Sequence, residues 1–369
     1  MQVAVLKETA TRENRVALTP DSAGRLVKAG RQVVIQSGAG DRAGFPDSAF
    51  IAAGARIASD VPATAAGSQV VLKVLPPSAQ EIASLDSGCT LISLLRPGQH
   101  TEVATRLAER GVHALALELV PRITRAQTMD VLSSQSTVAG YKAVLLGAGA
   151  LGKFLPMLTT AAGNIQPARV FIIGAGVSGL QAIATARRLG GVVSAFDIRP
   201  AAREQILSLG ATALDSEAVS TSAEAAGGYA RAQTEDEHSR TVRTIAGQLP
   251  NADLVITTAN IPGRKSPVLI TEEGVRTMRP GAVIVDLAAE NGGNCALTRA
   301  DETIQAHGVT ILGPSNLPAS VPYHASQMFG RNVLALLQHL ITKEGALTLD
   351  PSDEITGAML VTHEGRTLR

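Results

Sequence analysis

An apolar strand, a turn built on three glycines and a helix-length run follow one another from Ala168-Arg-Val-Phe-Ile-Ile-Gly-Ala-Gly-Val-Ser-Gly179 onward. No other feature restricts the fold as tightly, because this glycine spacing is useful where a strand turns sharply into a helix. Gly174 makes the tight turn, Gly176 lets another group approach the backbone, and Gly179 lets the helix pack on the sheet. The helix is read over Leu180–Leu189, and Gly190-Gly191 closes it before a second strand, Val192–Phe196, that runs into Asp197. Helix N-terminal amides facing an anion, and a carboxylate about 20 positions on that accepts from a ribose hydroxyl, are what a dinucleotide site requires. The candidate contacts are Gly174, Ala175, Gly176, Val177, Ser178 and Gly179 for the pyrophosphate, and Asp197, Ile198 and Arg199 for the adenosine end. A carboxylate at 197 gains about 1.5–3 kcal/mol from a 2′-hydroxyl and repels a 2′-phosphate, so NAD(H) is favoured over NADP(H), with Arg199 as the counter-argument. A plain strand–turn–helix without a ligand is the bland reading of the same residues.

A second stretch, Gly147-Ala-Gly-Ala-Leu-Gly152, has the same spacing, but no Asp or Glu occurs between Asp130 and Asp197, and the residues before it are helix-like. It is read as structural. Three glycines inside a helix cost about 1 kcal/mol each against alanine, which close packing of two backbones would explain.

Around this unit, β-branched runs alternate with amphipathic stretches almost from end to end, the pattern of parallel βαβ construction. The predicted fold class is α/β: two Rossmann-like domains with parallel sheets joined by long helices. Strands are expected at Val3–Leu6, Val33–Gln36, Val70–Val74, Thr90–Leu94 and His113–Glu118, then at Ala168–Ile173, Val192–Phe196, Leu254–Thr257, Ala282–Asp286 and Val309–Leu312. Thr19 is the expected N-cap of the first helix, with Pro20 in its first turn and Gly30 past its end. A long helix is expected from about Val131 to Leu158, ended near Pro156. Beyond Pro318, Met328, Val333, Leu334, Leu337 and Ile341 share a helical face, and this tail is expected to return to the first domain, ending in a short polar stretch at Arg369. The predicted domains are thus 1–135 with 320–369, and 136–319. The small, polar segment Ser216–Ser239 reads as a mobile surface loop.

With 45% apolar and 18% charged residues, a net charge of +1 and 2% aromatics, the chain has neither the basic stripe nor the stacking platform of a nucleic-acid binder. Cys89 and Cys295 are too few for a disulfide framework and show no zinc spacing, so no metal is expected. Charge at Lys7 and the lack of a long apolar run predict neither an export signal nor a membrane span.

Several motifs together resemble the NAD(H)-binding alpha subunit of the proton-translocating nicotinamide nucleotide transhydrogenases, over nearly the whole chain. They are Lys7-Glu8 with Asn14-Arg-Val-Ala-Leu-Thr-Pro20, the specific run Pro121-Arg-Ile-Thr-Arg-Ala-Gln-Thr-Met-Asp-Val-Leu-Ser-Ser-Gln-Ser136, and the glycine turn. Gly227-Gly-Tyr-Ala230, Thr257-Thr-Ala259 with Ile261-Pro-Gly-Arg264, and Val285-Asp-Leu-Ala288 with Gly292-Gly-Asn294 complete them. The resemblance implies direct hydride transfer between NADH on this chain and NADP+ on a partner subunit, coupled to proton translocation by a membrane-spanning subunit. It also implies a homodimer, peripheral on the cytoplasmic face of the cell membrane and similar to the split bacterial form.

The family's nicotinamide-positioning loop maps onto Arg122, Gln127, Asp130 and Ser133. Gln127 would fix the carboxamide, Asp130 and Ser133 the nicotinamide ribose, and Arg122 the loop or the partner's charge. The bland alternative is a helix N-terminus capped by polar residues. Tyr229 resembles a mobile-loop tyrosine that folds over the nucleotide, and Thr258, Ala259 and Asn260 follow a strand where ligands of open sheets gather. Asp286 and Asn294 occupy similar ground or are turn residues.

Alanine dehydrogenases share the opening motif and the glycine turn. In that reading Arg15 and Lys73 would clamp a carboxylate, but no histidine stands near Leu95-Arg96, and His100 is four positions late. Arg15 and Lys73 would otherwise pair with Glu8 and other carboxylates on the surface. A non-catalytic NAD(H) sensor is the third reading, and it gives the positioning loop no task.

Overall fold

The computed structural model describes residues 1–215, 233–260 and 265–369. The chain divides into two compact units, Met1–Gln135 with Pro318–Arg369, and Ser136–Leu317. Each is an α/β unit around a largely parallel sheet.

Among the described residues the first unit's sheet has eight strands, in the order Arg366–Thr367, Leu360–His363, His113–Ala116, Thr90–Ser93, Val70–Leu72, Gln2–Val5, Gln32–Gln36, Arg56–Ala58. The six strands from the N-terminal part pair in parallel, and the last two of the chain add an antiparallel edge. Side-chain alternation builds a core on each face. Val3 and Val5 join Ile35, Leu72 and the helices Pro20–Lys28 and Pro322–Leu340, while Ala4 and Leu6 join Val71, Leu91 and the helix Thr101–Glu109.

The antiparallel edge stands where the sequence pattern predicts only a polar tail. Leu360 and Val361 are buried, and Glu364-Gly365 turn the chain with φ of 48° and 73°, the left-handed pair that a two-residue hairpin needs. Two further expectations hold in part. Thr19 holds the N-cap position, but its buried side chain makes no capping bond; a Cβ on Gly330 of Pro322–Leu340 would lie 3.4 Å from its nitrogen. Of the expected face, Val333, Leu334 and Leu337 are buried in Pro322–Leu340, whose buried stripe runs on through Ala325, Phe329, Leu336 and Leu340. Met328 is only half-buried, and Ile341 lies beyond the helix, bridged to Leu347.

The second unit's sheet runs Thr212–Ala213, Val192–Phe196, Arg169–Ile173, Leu254–Thr257, Val283–Asp286, Val309–Leu312, Thr303–Ala306. All neighbours are parallel except the last pair. Strand order reverses between Arg169–Ile173 and Leu254–Thr257, so the crevice at their carboxyl ends is the switch point where open sheets take ligands. Val170 and Ile172 face one core with Ala182, Ile183 and Ala186, and Phe171 and Ile173 face another with Ile245, Leu249 and Val275.

The long helix spans Val131–Ala150 and ends well before Pro156. Leu151 and Leu155 turn into the core, Lys153 Nζ donates to Asp253 Oδ1 at 2.8 Å, and the chain then forms a small antiparallel pair, Leu158–Thr160 with Gly163–Ile165. Gly147 and Gly149 lie inside the helix. A Cβ on Gly147 would sit 2.5 Å from Leu254 Cδ1 and 3.1 Å from Val285 Cγ2, whereas Gly149 and Gly152 have nothing within 4 Å. Close approach thus accounts for Gly147, and against side chains; the backbone contact is at Gly140, where a Cβ would lie 2.1 Å from the carbonyl oxygen of Ser178. Most of the segment read as a mobile loop lies outside the described residues, but its end is helical. Thr234 and Glu237 form a capping box, three acids occupy the first turn, and Glu235–Ala246 is a helix that buries Thr241 and Ile245.

Candidate functional site

The glycine turn follows Arg169–Ile173 and opens the helix Val177–Arg188. Gly174 has φ of +92°, and a Cβ there would strike Thr258 Oγ1 at 2.6 Å. Gly179 is packed harder: a Cβ would lie 1.9 Å from the Gly174 carbonyl oxygen. Gly176, the N-cap with φ of −74°, differs, because a Cβ on it meets no protein atom within 4 Å. Gly174 and Gly179 are therefore required by the protein's own packing, while Gly176 keeps open the space beside the helix N-terminus. That space and the amides around it fit the pyrophosphate of a dinucleotide.

Asp197 holds the turn. Its Oδ2 accepts from the Ala175 N–H at 2.7 Å, and Gly174 donates to the carbonyl of Phe196 at 2.8 Å, tying the turn to the neighbouring strand. The carboxylate also takes the backbone N–H of Arg199 at 2.9 Å, and the Arg199 guanidinium through Nε at 2.9 Å and Nη2 at 2.8 Å. The Asp197 side chain is 8% exposed. Its engagement by Arg199 is invisible in sequence, where Asp197 reads as an open acceptor.

Across the switch point, Thr258 Oγ1 donates to the carbonyls of Ile173 and Gly174 at 3.2 and 3.1 Å, joining the two strand ends. Asn294 holds the next residue from both sides: Oδ1 accepts from the Ala259 N–H at 3.0 Å, and Nδ2 donates to the Ala259 and Pro267 carbonyls at 2.8 Å each. Exposed Asn260 accepts from Ser266 Oγ and Asn291 Nδ2. Asp286, fully buried, accepts from Thr257 Oγ1, Thr298 Oγ1 and the N–H groups of Ala288, Asn294 and Cys295. Asp286 and Asn294 thus shape the crevice from beneath. Burial, with Asp286 nearby, raises the Cys295 thiol's pKa and keeps it protonated. Tyr229 and Ile261–Arg264 lie outside the described residues.

In the first unit, Arg122 and Gln127 are exposed and Asp130 and Ser133 half-buried. Gln127 sits on the 3-10 turn Thr124–Met129, pinned by buried Ala126 and Met129 and by Asn332 Nδ2, which donates to the Thr128 carbonyl at 2.7 Å. Asp130 caps Val131–Ala150, its carboxylate accepting from the Ser133 N–H at 2.8 Å and the Ser133 hydroxyl at 2.6 Å. The capping role of the bland alternative is therefore real, and Gln127 stays open to solvent beside it.

Arg15 and Lys73 are paired with carboxylates, but in the interior. Arg15 bonds Glu13 through Nη2 at 2.6 Å and Nε at 2.8 Å, and donates to Gln135 Oε1 at 2.8 Å. Lys73 lies 2.6 Å from Glu81 and 3.6 Å from Glu8, with all of these charged side chains nearly inaccessible. Burial pushes the Glu8 carboxyl up to about 7 against the pull of Lys73. Leu95 is buried, and His100 stands at the N-cap of Thr101–Glu109, 3.8 Å from Glu102. Among the described residues, no cluster of His, Cys, Asp or Glu is placed to hold a metal, and no helix is long and apolar enough to cross a membrane.

Two family models match, alanine dehydrogenase/PNT N-terminal domain over residues 4–139 and alanine dehydrogenase/PNT C-terminal domain over residues 143–369. The chain is 43% identical to an NAD(P) transhydrogenase alpha-subunit polypeptide of Rhodospirillum rubrum, covering 99% of this chain and 97% of that one. A solved transhydrogenase from Sinorhizobium meliloti superposes with a TM-score of 0.90 at 40% identity, covering 100% of both chains. An alanine dehydrogenase of Halomonas elongata is 31% identical over 99% of this chain and 94% of its own.

Proposed function

The chain belongs to the alanine dehydrogenase/PNT family, and we propose that within it the chain is the NAD(H)-binding subunit of a proton-translocating NAD(P) transhydrogenase. This oxidoreductase passes hydride directly between NADH on this chain and NADP+ on a partner subunit. The observation that carries the reading is likeness along the whole chain to a transhydrogenase alpha subunit. The open space at Gly176 and the carboxylate bonded to the turn support it.

When bound, NAD(H) supplies or accepts the hydride. The protein's residues bind and orient it. The amides at the start of Val177–Arg188 receive the pyrophosphate, Asp197, Ile198 and Arg199 the adenosine end, and Thr258, Ala259 and Asn260 the strand-end side of the ligand. Gln127 holds the carboxamide, Asp130 and Ser133 the nicotinamide ribose, and Arg122 the loop or the partner's charge. Transfer between two nicotinamide carbons moves no proton at those carbons, so the task is alignment, for which hydrogen-bonding side chains suffice. The proposal includes Tyr229 closing over the nucleotide, an NADP(H)-binding subunit, a membrane-spanning subunit that couples transfer to protons, a homodimer, and a peripheral place on the cytoplasmic face.

The alanine dehydrogenase reading loses support from the interior pairing. A carboxylate substrate would have to displace Glu13 from Arg15, or Glu8 and Glu81 from Lys73, and no histidine stands in the region of Leu95, where the Glu118 carboxyl is tied to the Leu95 and Arg96 N–H groups. Following transfer from NADH to an oxidised NADP analogue in the presence of the partner tests the proposal. No transfer favours a sensor, and NADH oxidation by pyruvate and ammonia without a partner favours alanine dehydrogenase.

A further inference from the structure

An ionised carboxylate has about four lone-pair sites. In Asp197 four N–H donors of the described residues meet them: Ala175 and Arg199 through their backbones, and Arg199 twice through its guanidinium. The acceptor assigned to a ribose hydroxyl is thus saturated from within. Three of the donors come from one residue, which occupies the N-cap of Pro200–Ser208, and Pro200 fixes the backbone where the side chain folds back. Both side chains are shielded, Asp197 at 8% and Arg199 at 16% exposure. A bidentate guanidinium in that position also cancels the charge by which a carboxylate repels a 2′-phosphate.

We infer that Arg199 determines nucleotide specificity: its guanidinium must leave Asp197 before a ribose hydroxyl is accepted, and it blunts the carboxylate's discrimination against a 2′-phosphate. The inference rests on the nucleotide reading of the site. Arg199 competes with NADH for Asp197. With NADPH the same guanidinium is a counter-charge for the phosphate. The ratio of the two affinities therefore depends on the pair, and the carboxylate alone would be more selective.

Titration of NADH and NADPH against the full-length chain, as wild type, Arg199→Gln and Arg199→Lys, tests this, with thermal melts of each protein alongside. Arg199→Gln is expected to lose far more affinity for NADPH than for NADH, raising the ratio of Kd for NADPH to Kd for NADH by about tenfold. Arg199→Lys keeps the charge but loses the planar fork, so its ratio falls between the two. A ratio at or below the wild-type value in both variants, or equal weakening of both nucleotides, overturns the inference. If the wild-type chain binds neither nucleotide, the reading of the site fails and the inference with it; wild-type binding with an unaltered ratio in the variants removes only the role of Arg199.

Discussion

Gly176 and Gly179 sit three residues apart in one turn, yet alanine at each should fail for opposite reasons. At Gly176 the new methyl meets no protein atom within 4 Å, and φ of −74° suits any residue, so the fold is left alone. The loss of an N-cap glycine costs under about 1 kcal/mol. The methyl instead occupies the space assigned to the pyrophosphate, where a misplacement of about 1 Å suffices to break a tuned contact. NADH affinity should fall at least about tenfold, equivalent to about 1.4 kcal/mol, with the melting temperature nearly unchanged. At Gly179 the methyl lies 1.9 Å from the Gly174 carbonyl oxygen, so backbone must retreat by about 1 Å and the Thr258 bond at 3.1 Å is strained. Overpacking of this kind typically costs about 1–3 kcal/mol, and Gly179→Ala should lower both stability and affinity. Fluorescence titration with NADH and a thermal melt of each variant separate the cases. Gly176→Ala binding NADH like wild type would refute the assignment of that space to the ligand.

Removing the Asn294 side chain leaves both polar groups of Ala259 and the Pro267 carbonyl unpaired, so Asn294→Ala should lose about 2–4 kcal/mol in denaturant unfolding and weaken NADH binding; an unchanged midpoint contradicts this. The Glu8 carboxyl, raised to about 7 by burial, holds a proton that the unfolded chain releases above its ordinary value of 4.5. Its contribution to stability is therefore largest below about pH 4.5 and is lost as pH rises toward about 7, by at most about 3 kcal/mol. Glu8→Gln should flatten that slope, and parallel unfolding profiles between pH 5 and 8 would count against it. Gln127→Asn, at an exposed position, should slow transfer far more than it weakens NADH binding, with no change in melting temperature; an unchanged rate removes Gln127 from the positioning role.

Much of the fold is legible because its central strands are buried on both faces and read as β-branched runs. Val192–Phe196, Leu254–Thr257 and Val309–Leu312 stand where periodicity places them. The edge strands Arg56–Ala58 and Thr212–Ala213 are too short for a pattern, and Thr303–Ala306 has no buried residue, so all three take their state from a neighbour. The hairpin Leu360–Thr367 escapes because its second strand, Arg366–Thr367, is two exposed residues long, although the Glu364-Gly365 turn is a local cue. The end of the long helix at Ala150 depends on where Leu151 and Leu155 find a core, which is tertiary information. In the site, glycine spacing reveals the turn, and the carboxylate after the second strand reveals its acceptor. That Arg199 already occupies Asp197, that Asp286 ties down five donors, and that Arg15 and Lys73 are buried against Glu13, Glu8 and Glu81 are pairings set by tertiary structure, and residue types alone do not specify them.

NADH bound to this chain is proposed to give its hydride directly to NADP+ on a partner subunit. Direct transfer is tested by supplying NADH deuterated at the transferring carbon to the chain assembled with its NADP(H)-binding partner, and locating the label by mass spectrometry. The label is expected in NADPH, without loss to water and only when both subunits are present. Label lost to solvent, or oxidation of NADH by this chain with no partner, would contradict it.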